Sequence, residues 1–404
     1  MKIKNAYIII ALIILSSCIK EKIGEKQAES FIKYYGGGYA NGGNDVKQLS
    51  DGSYVVIGYY TTKDSGTDMY LVKTNRYGNE IWHKFYGYKS VGYGIQVLKD
   101  GGFILVGYTT LKNKTANTNV FLVRTDANGV ALWIDSIGGD STATGYYVQV
   151  TSSGGFMIAG SIDVGAGITN ALLVLTDSGG KLIKNGLQTY GYPSTGNTDA
   201  KSVIELSDEY LMVGSIQNDP NGGHGLSDIC TITAYKKNLK IHLINCFGGL
   251  GNDYGEDLKQ LSDGTFLCSG IWTRGGDTGT VTCLIKLKPD PDKGYISDTT
   301  IFYNNYNVPS SDFSNSITIV SDSIYALTGS RIRSDGKNQN ILFLKTDNNG
   351  TQKTFITYGE TGNQTGQKII STMDGGFLIV GTNFYSNSSS LITLLKISGN
   401  GTLE

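Results

Sequence analysis

The sequence predicts an all-β fold of seven four-stranded antiparallel blades closed into a ring, a seven-bladed β-propeller. Three observations predict it. An aromatic residue followed four positions later by glycine recurs as Tyr54–Gly58, Phe103–Gly107, Phe156–Gly160, Tyr210–Gly214, Phe266–Gly270, Tyr325–Gly329 and Phe377–Gly381. Successive anchors stand 49, 53, 54, 56, 59 and 52 residues apart, the span of one propeller blade. The last repeat lacks a fourth strand, and an orphan strand stands at the other end of the chain.

Each repeat reads as four strands. In residues 93–138 the first strand is Tyr93–Leu98, and Asp100-Gly101 is a tight turn, because Asp-Gly suits the positive-φ positions of a hairpin. Phe103–Thr109 is the second strand and Val120–Thr125 the third. Asp126-Ala127-Asn128-Gly129 is the next turn and Ala131–Ile137 the fourth strand. Third strands recur at Met69–Thr74, Ala171–Thr176, Ile229–Ala234, Thr282–Leu287, Ile341–Thr346 and Ile392–Ile397. The anchors enclose mostly apolar runs such as VVI, ILV and LIV, as expected of strands covered on both faces. No segment keeps a helical period.

The ends argue for closure rather than for a solenoid, whose repeats are usually shorter and end in atypical caps. The final unit stops at Gly399-Asn400-Gly401, its third-to-fourth turn. At the other end Phe31-Ile32-Lys33-Tyr34-Tyr35-Gly36 matches Trp82-His83-Lys84-Phe85-Tyr86-Gly87 of the first complete unit in register. The N-terminal strand is therefore expected to complete the last blade, removing an exposed sheet edge. Residues 30–404 form one domain, long for a single core, because each blade packs only on its neighbours.

Ahead of it, Lys2 and Lys4 precede the apolar run Ala6–Leu15, interrupted only by Tyr7, and then Leu15-Ser16-Ser17-Cys18. The run is too short for a bilayer, which needs roughly 20 helical residues. This pattern resembles a bacterial lipoprotein signal. The resemblance implies removal of residues 1–17, lipidation (palmitate among the acyl chains) of Cys18 and a flexible tether over 18–29. Ile19 stands where an Asp would retain an enteric lipoprotein in the inner membrane, so the expected address is the outer membrane, on either side of it. The repeats resemble bacterial surface propellers with DGGF-type blades, carried best by Asp100-Gly101-Gly102-Phe103 and Asp374-Gly375-Gly376-Phe377; blades four and six depart from it at Ser207–Tyr210 and Asp322–Tyr325. That group implies no defined activity. Asn128-Gly129 through Trp133 also looks like a quinoprotein blade, but neither eight blades nor a quinone Ca²⁺ site is present in the sequence.

A net charge of −1 leaves no electrostatic footprint for nucleic acid. His83, His224 and His242 are scattered, and no G-x-S-x-G, P-loop or H-E-x-x-H occurs. Ser30–Lys33 matches S-x-x-K only by letters, within the closing strand. No catalytic residue, cofactor or metal is expected. Asp45, Asp140, Asp199, Asp253 and Asp312 recur near the innermost strands, where turn hydrogen bonding is their commoner role. Cys230 with Cys246, and Cys268 with Cys283, fall on neighbouring strands, either as disulfides permitted by export or as buried thiols.

Short turns repeat on one face, whereas the second-to-third loops and the links between blades are long and variable and share the other. Variable loops on a rigid scaffold are where binding resides. The candidate ligand-binding residues are Tyr59, Tyr60, Tyr108, Trp272, Arg274, Arg331 and Tyr385, with Asp64, Asp163, His224 and Arg333 beside them; Tyr, Trp and Arg combine apolar area with a polar handle. The leading expectation is an outer-membrane-anchored, non-enzymatic binding or scaffold protein engaging a protein or glycan. The alternatives are a glycan lyase or hydrolase working in the central channel, and a structural component of the cell surface.

Overall fold

The computed structural model describes residues 30–403 apart from 64–65, 111–116, 192–195, 219–225, 274–278, 291–293, 304–310, 335, 360–361 and 387. The expected signal peptide, Cys18 and tether lie outside the described residues. Every regular element described is a strand. β1 (Phe31–Tyr35) comes first. Blade one is β2 (Asn41–Gln48), β3 (Tyr54–Thr62), β4 (Gly66–Thr74) and β5 (Glu80–Tyr86); blade two is β6 (Ser90–Val97), β7 (Phe103–Thr110), β8 (Thr118–Thr125) and β9 (Ala131–Ile137). Blade three is β10 (Ala143–Val150), β11 (Phe156–Gly165), β12 (Ile168–Thr176) and β13 (Leu182–Tyr190); blade four is β14 (Ser202–Glu205), β15 (Glu209–Gln217), β16 (Ser227–Tyr235) and β17 (Ile241–Phe247). Blade five is β18 (Tyr254–Gln260), β19 (Phe266–Thr273), β20 (Thr280–Asp290) and β21 (Gly294–Tyr303); blade six is β22 (Asp312–Ser321), β23 (Ile324–Ile332), β24 (Gln339–Asp347) and β25 (Gln352–Tyr358). Blade seven joins β26 (Asn363–Ser371), β27 (Phe377–Ser386) and β28 (Ser389–Ile397) to β1.

The seven sheets stand as blades of a β-propeller, with β2, β6, β10, β14, β18, β22 and β26 innermost. The closing strand pairs as expected: Phe31 lies opposite Lys396 and Tyr35 opposite Ile392, antiparallel. Phe31 therefore sits near the Ser398–Thr402 turn, so the chain enters the ring on the short-turn face.

The anchor motif has a steric cause. Each anchor glycine lies against the carbonyl just before a bulge in the innermost strand. A Cβ on Gly107 would come within 1.8 Å of the Val91 oxygen, on Gly329 within 1.7 Å of the Phe313 oxygen, and on the other five within 1.8–2.4 Å of the equivalent oxygen. No side chain fits there. The aromatic partner is buried in all seven repeats, Phe103 completely. The hydrophobic core is divided accordingly into seven clusters, one at each blade–blade interface; the one between blades seven and one includes Tyr35, Val46, Tyr54, Leu378 and Ile392.

Local chemistry sets the turns. Gly101 and Gly129 take φ of +82° and +74°, which glycine adopts without strain. Asp126 accepts hydrogen bonds from the Asn128 and Val130 amides at 2.8 Å, tightening its turn. The Asp of the DGG turn also reaches a basic residue on the third strand: Asp100 pairs with Arg124, and Asp374 with the buried Lys396 at 3.0 Å. Tyrosines at the ends of outer strands latch neighbouring blades. Tyr35 donates to the Gly78 carbonyl and Tyr86 to the Gly129 carbonyl, both at 2.6 Å, Tyr190 to Leu239 at 2.9 Å, and Tyr358 to Gly401.

Of the four propeller cysteines, Cys230, Cys268 and Cys283 are buried and Cys246 is half-buried. Cys268 faces Ile285 while Cys283 faces Gly270, so this pair is offset diagonally by two residues. Diagonal Cα separations of about 7–8 Å exceed the reach of a disulfide. Cys230 lies directly opposite Cys246 in the ladder. Burial pushes the Cys283 and Cys268 thiols far above their ordinary range.

Candidate functional site at the channel mouth

Six innermost strands shift register by one residue at the same level: between Gly43 and Asp45, Gly92 and Gly94, Gly145 and Tyr147, Gly255 and Asp257, Ser314 and Ser316, and Gly366 and Lys368. Blade four does the same ahead of β14, where Lys201 donates to the Val213 carbonyl while Ser202 pairs with that same residue. Two residues thus oppose one, a β-bulge, and the extra residue is turned out of the ladder. The seven bulged residues are Asn44, Tyr93, Tyr146, Lys201, Glu256, Asn315 and Gln367. All seven line one cavity of about 370 Å³, together with Asp45, Tyr147, Asp257 and Lys368. The innermost strands begin on the loop-rich face and the bulges fall in their first half, so the cavity is the mouth of the channel on that face.

The bulge also corrects the expected start of strand β6. It begins at Ser90 rather than Tyr93, because Tyr93 interrupts the strand instead of opening it.

The ring of bulged residues has two halves. Blades two to four contribute aromatic rings and an ammonium: Tyr93 meets Tyr146 edge-on at 5.4 Å, and the Lys201 ammonium sits 4.0 Å above the Tyr146 ring. Blades five, six, seven and one contribute oxygen acceptors. Asn44 and Asn315 each donate their amide nitrogen to the neighbouring blade's bulge carbonyl, Gly92 and Gly366, both at 2.7 Å. That fixes the flip of each amide and turns its oxygen away. Glu256 adds a carboxylate, and Gln367 a third amide, with a long 3.4 Å bond to Thr365.

One residue deeper lie the charges that tie the ring together. Asp45 holds Lys47 at 2.8 Å and accepts the Ile95 amide of the next blade at 3.1 Å. Asp257 is the most engaged group in the channel. It accepts from Lys259 and Lys368 at 2.8 Å each, from Ser316 Oγ at 2.9 Å, and from the Leu258 and Ile317 amides. Burial opposes its charge, but the two lysines outweigh burial and hold this carboxyl well below the usual range. Burial, with Asp199 and Asp257 adding to it against Lys201, raises Glu256 to about 7. Burial, together with Lys368 and Lys47 against Asp257, lowers Lys259 to about 8.

The residues expected from sequence are distributed around the loop-rich face. Tyr60 packs on Tyr70 and Phe85 at 5.5 and 5.3 Å within blade one. Tyr59 is half-buried, with Ser390 as its hydrogen-bond partner. Trp272 packs against the core between blades four and five. Arg331 pairs with Asp312 at 3.5 Å and stacks on Phe355. Tyr385 is 54% exposed, at the end of β27. Tyr108 lines a second cavity of about 400 Å³ with Lys89, Thr67 and Thr118, its ring 6.1 Å from Tyr93. Asp163 turns its carboxylate to the Gly165 amide, and Arg333 closes a turn with Asn338. Asp64, His224 and Arg274 lie outside the described residues.

The recurring aspartates are engaged locally. Asp199 accepts the Ser215 amide and pairs with Lys201 at 3.2 Å, and Asp253 accepts the Gly249 and Thr273 amides at 2.6 Å. Among the described residues no three His, Cys, Asp or Glu side chains gather as a metal site. The bulge ring itself was not singled out from sequence. Its signal is a small residue 15 positions before each anchor glycine, 14 in blade four: Gly43, Gly92, Gly145, Ala200, Gly255, Ser314 and Gly366.

No family model and no curated protein matches the sequence. Solved structures share the fold. A polysaccharide lyase of family PL25, an ulvan lyase, superposes with a TM-score of 0.56 at 9% identity, covering 92% of this chain and 97% of the lyase. The same lyase bound to a -[GlcA(1-4)Rha3S]- segment gives 0.53 over the same extents. A protein of unknown function from Dyadobacter fermentans gives 0.50 at 11% identity, covering 92% of this chain and 99% of that one. At such identities the likeness is one of fold alone.

Proposed function

We propose that the protein is an exported, lipid-anchored glycan-binding protein that takes one sugar unit at the channel mouth. The observation that carries this reading is the two-sided ring of bulged residues. A sugar has an apolar C–H face and a rim of hydroxyls. The Tyr93 and Tyr146 rings suit the face, and the amide oxygens of Asn44 and Asn315 with the Glu256 carboxylate suit the hydroxyls. A cavity of about 370 Å³ is at the small end of ligand pockets, which run from about 300 to 1,000 Å³. The lipid anchor rests on Cys18 and the residues before it, and the outer membrane on Ile19.

Binding rather than turnover is favoured because Asp45 and Asp257, two of the three carboxylates lining the cavity, are held by lysines and backbone amides. Neither is placed to move a proton. A glycan array with the propeller is expected to give hits whose affinity falls at least tenfold in Tyr146→Ala. Hits indifferent to Tyr146→Ala, or an empty array, would sink the proposal.

One observation favours a second reading, a glycan lyase or hydrolase. Glu256, raised to about 7, has the proton affinity of a general acid or base. Shortening of an array-positive polysaccharide by the protein, abolished in Glu256→Gln, would establish that reading in place of the first.

A further inference from the structure

The lysines of the channel outnumber the carboxylates that hold them. Lys47 is paired with Asp45, and Lys201 with Asp199. Lys259 and Lys368 share one partner, Asp257, each at 2.8 Å. Asp257 has no capacity left, since three further donors (Ser316 Oγ and the Leu258 and Ile317 amides) converge on it. An ammonium has three N–H donors. Among the described residues Lys368 donates one hydrogen bond, to Asp257, with Asp45 a further carboxylate near it, and its side chain lines the cavity. Lys259 stands on the other oxygen of the same carboxylate.

We propose that the sugar unit bound at the channel mouth carries an oxyanion, and that this group is received by Lys368 with Lys259 behind it. This rests on the glycan-binding reading and names the class of glycan: acidic, bearing a carboxylate or a sulfate. Opposite charge in a low-dielectric channel is the term that selects it. Tyr93 and Tyr146 hold the ring of the same unit, and the amide oxygens of Asn44 and Asn315 take its hydroxyls.

The groups around the lysines give this preference a pH profile. Glu256 is faced by Lys201 and Asp199 from blade four and by Asp257 on its own strand; Lys259 is faced by Asp257, Lys368 and Lys47, and Lys368 by Asp257, by Asp45 of blade one and by Tyr147 of blade three. Below about pH 7 Glu256 is neutral and the surplus positive charge is uncompensated. Above about pH 7 the Glu256 carboxylate offsets the surplus, and above about pH 8 Lys259 gives up its proton and the balance turns negative. Affinity for an acidic sugar is therefore highest below pH 7 and declines through pH 7–8.

The test is calorimetric titration of the whole propeller with oligogalacturonate, a sulfated carrageenan oligosaccharide and a neutral cello-oligosaccharide of equal length, at pH 6 and pH 8.5. At least one acidic oligomer is expected to bind tenfold or more tighter than the neutral one at pH 6, and the comparison of the two identifies the oxyanion. The margin is expected to vanish in Lys368→Met. In Glu256→Gln, judged only on the ratio of acidic to neutral affinity because Glu256 itself lines the site, the part of the pH decline that falls near 7 is expected to disappear. Equal affinity for acidic and neutral oligomers would overturn the oxyanion assignment and leave the glycan reading standing. A margin unchanged in Lys368→Met would also overturn it. Binding of none of the three would count against both.

Discussion

At the scale of single residues the anchor glycines and Glu256 make opposite kinds of statement. Gly107 is required by sterics alone, since the Val91 carbonyl occupies the place of a Cβ. Gly107→Ala is expected to destabilise the propeller by at least about 3 kcal/mol, the upper range for overpacking. Gly38, whose Cβ would meet open space, is the control and is expected to change nothing measurable. Thermal unfolding of the two variants side by side checks this. Glu256 instead bears an electrostatic penalty. Its carboxyl titrates near 7 in the fold and near 4.3 in an unfolded chain, so between those values the folded state binds more protons. Stability from this group therefore falls as pH rises from about 4 to 7 and is level above. Glu256→Gln should remove that slope, becoming more stable relative to the parent at pH 8 than at pH 5 in urea titrations. The anchor was legible because sterics forces one residue type seven times. The bulge ring was not, because its residues differ in every blade; only the small residue before each bulge repeats, and Ala200 and Ser314 blur even that.

At the scale of elements the closing strand was readable in full, and for a definite reason. Phe31–Gly36 repeats the outer strand of blade one, aromatic spacing included, and Tyr35 makes to Gly78 the same bond that Tyr86 makes to Gly129. Deleting residues 30–36 exposes the edge of β28 and opens the core cluster that contains Tyr35. The expected outcome is a fall of more than 10 °C in the thermal midpoint, against a smaller loss of about 1 kcal/mol for Tyr35→Phe, which removes one hydrogen bond. Loop residues were harder to read. Tyr60, Trp272 and Arg331 have the chemistry of interface residues, but neighbouring rings, cores and carboxylates already engage them. Sequence gives the type of such a residue, not whether its surroundings have used it.

At the scale of the molecule, dividing the core among seven interfaces explains how some 375 residues remain one domain, past the usual limit for a single core. The same division leaves the axis free of packing demands, and the channel can carry unlike residues at equivalent positions. The proposed anchoring is tested at this scale. Cys18→Ala, expressed in a bacterial host, is expected to move the propeller from the membrane fraction to the soluble envelope fraction; persistence on the membrane would refute the lipid anchor.

The side on which the chain joins the ring then has a consequence for bearing. Phe31 starts beside the Ser398–Thr402 turn, whereas the cavity opens at the other pole. For a chain held at Cys18, the 12 residues from Cys18 to Glu29 reach about 40 Å at full stretch. If the chain is so held, the bilayer would lie on the short-turn side of the ring and the mouth on the far side. A propeller anchored in that way would present its mouth to what approaches the membrane rather than to the membrane itself.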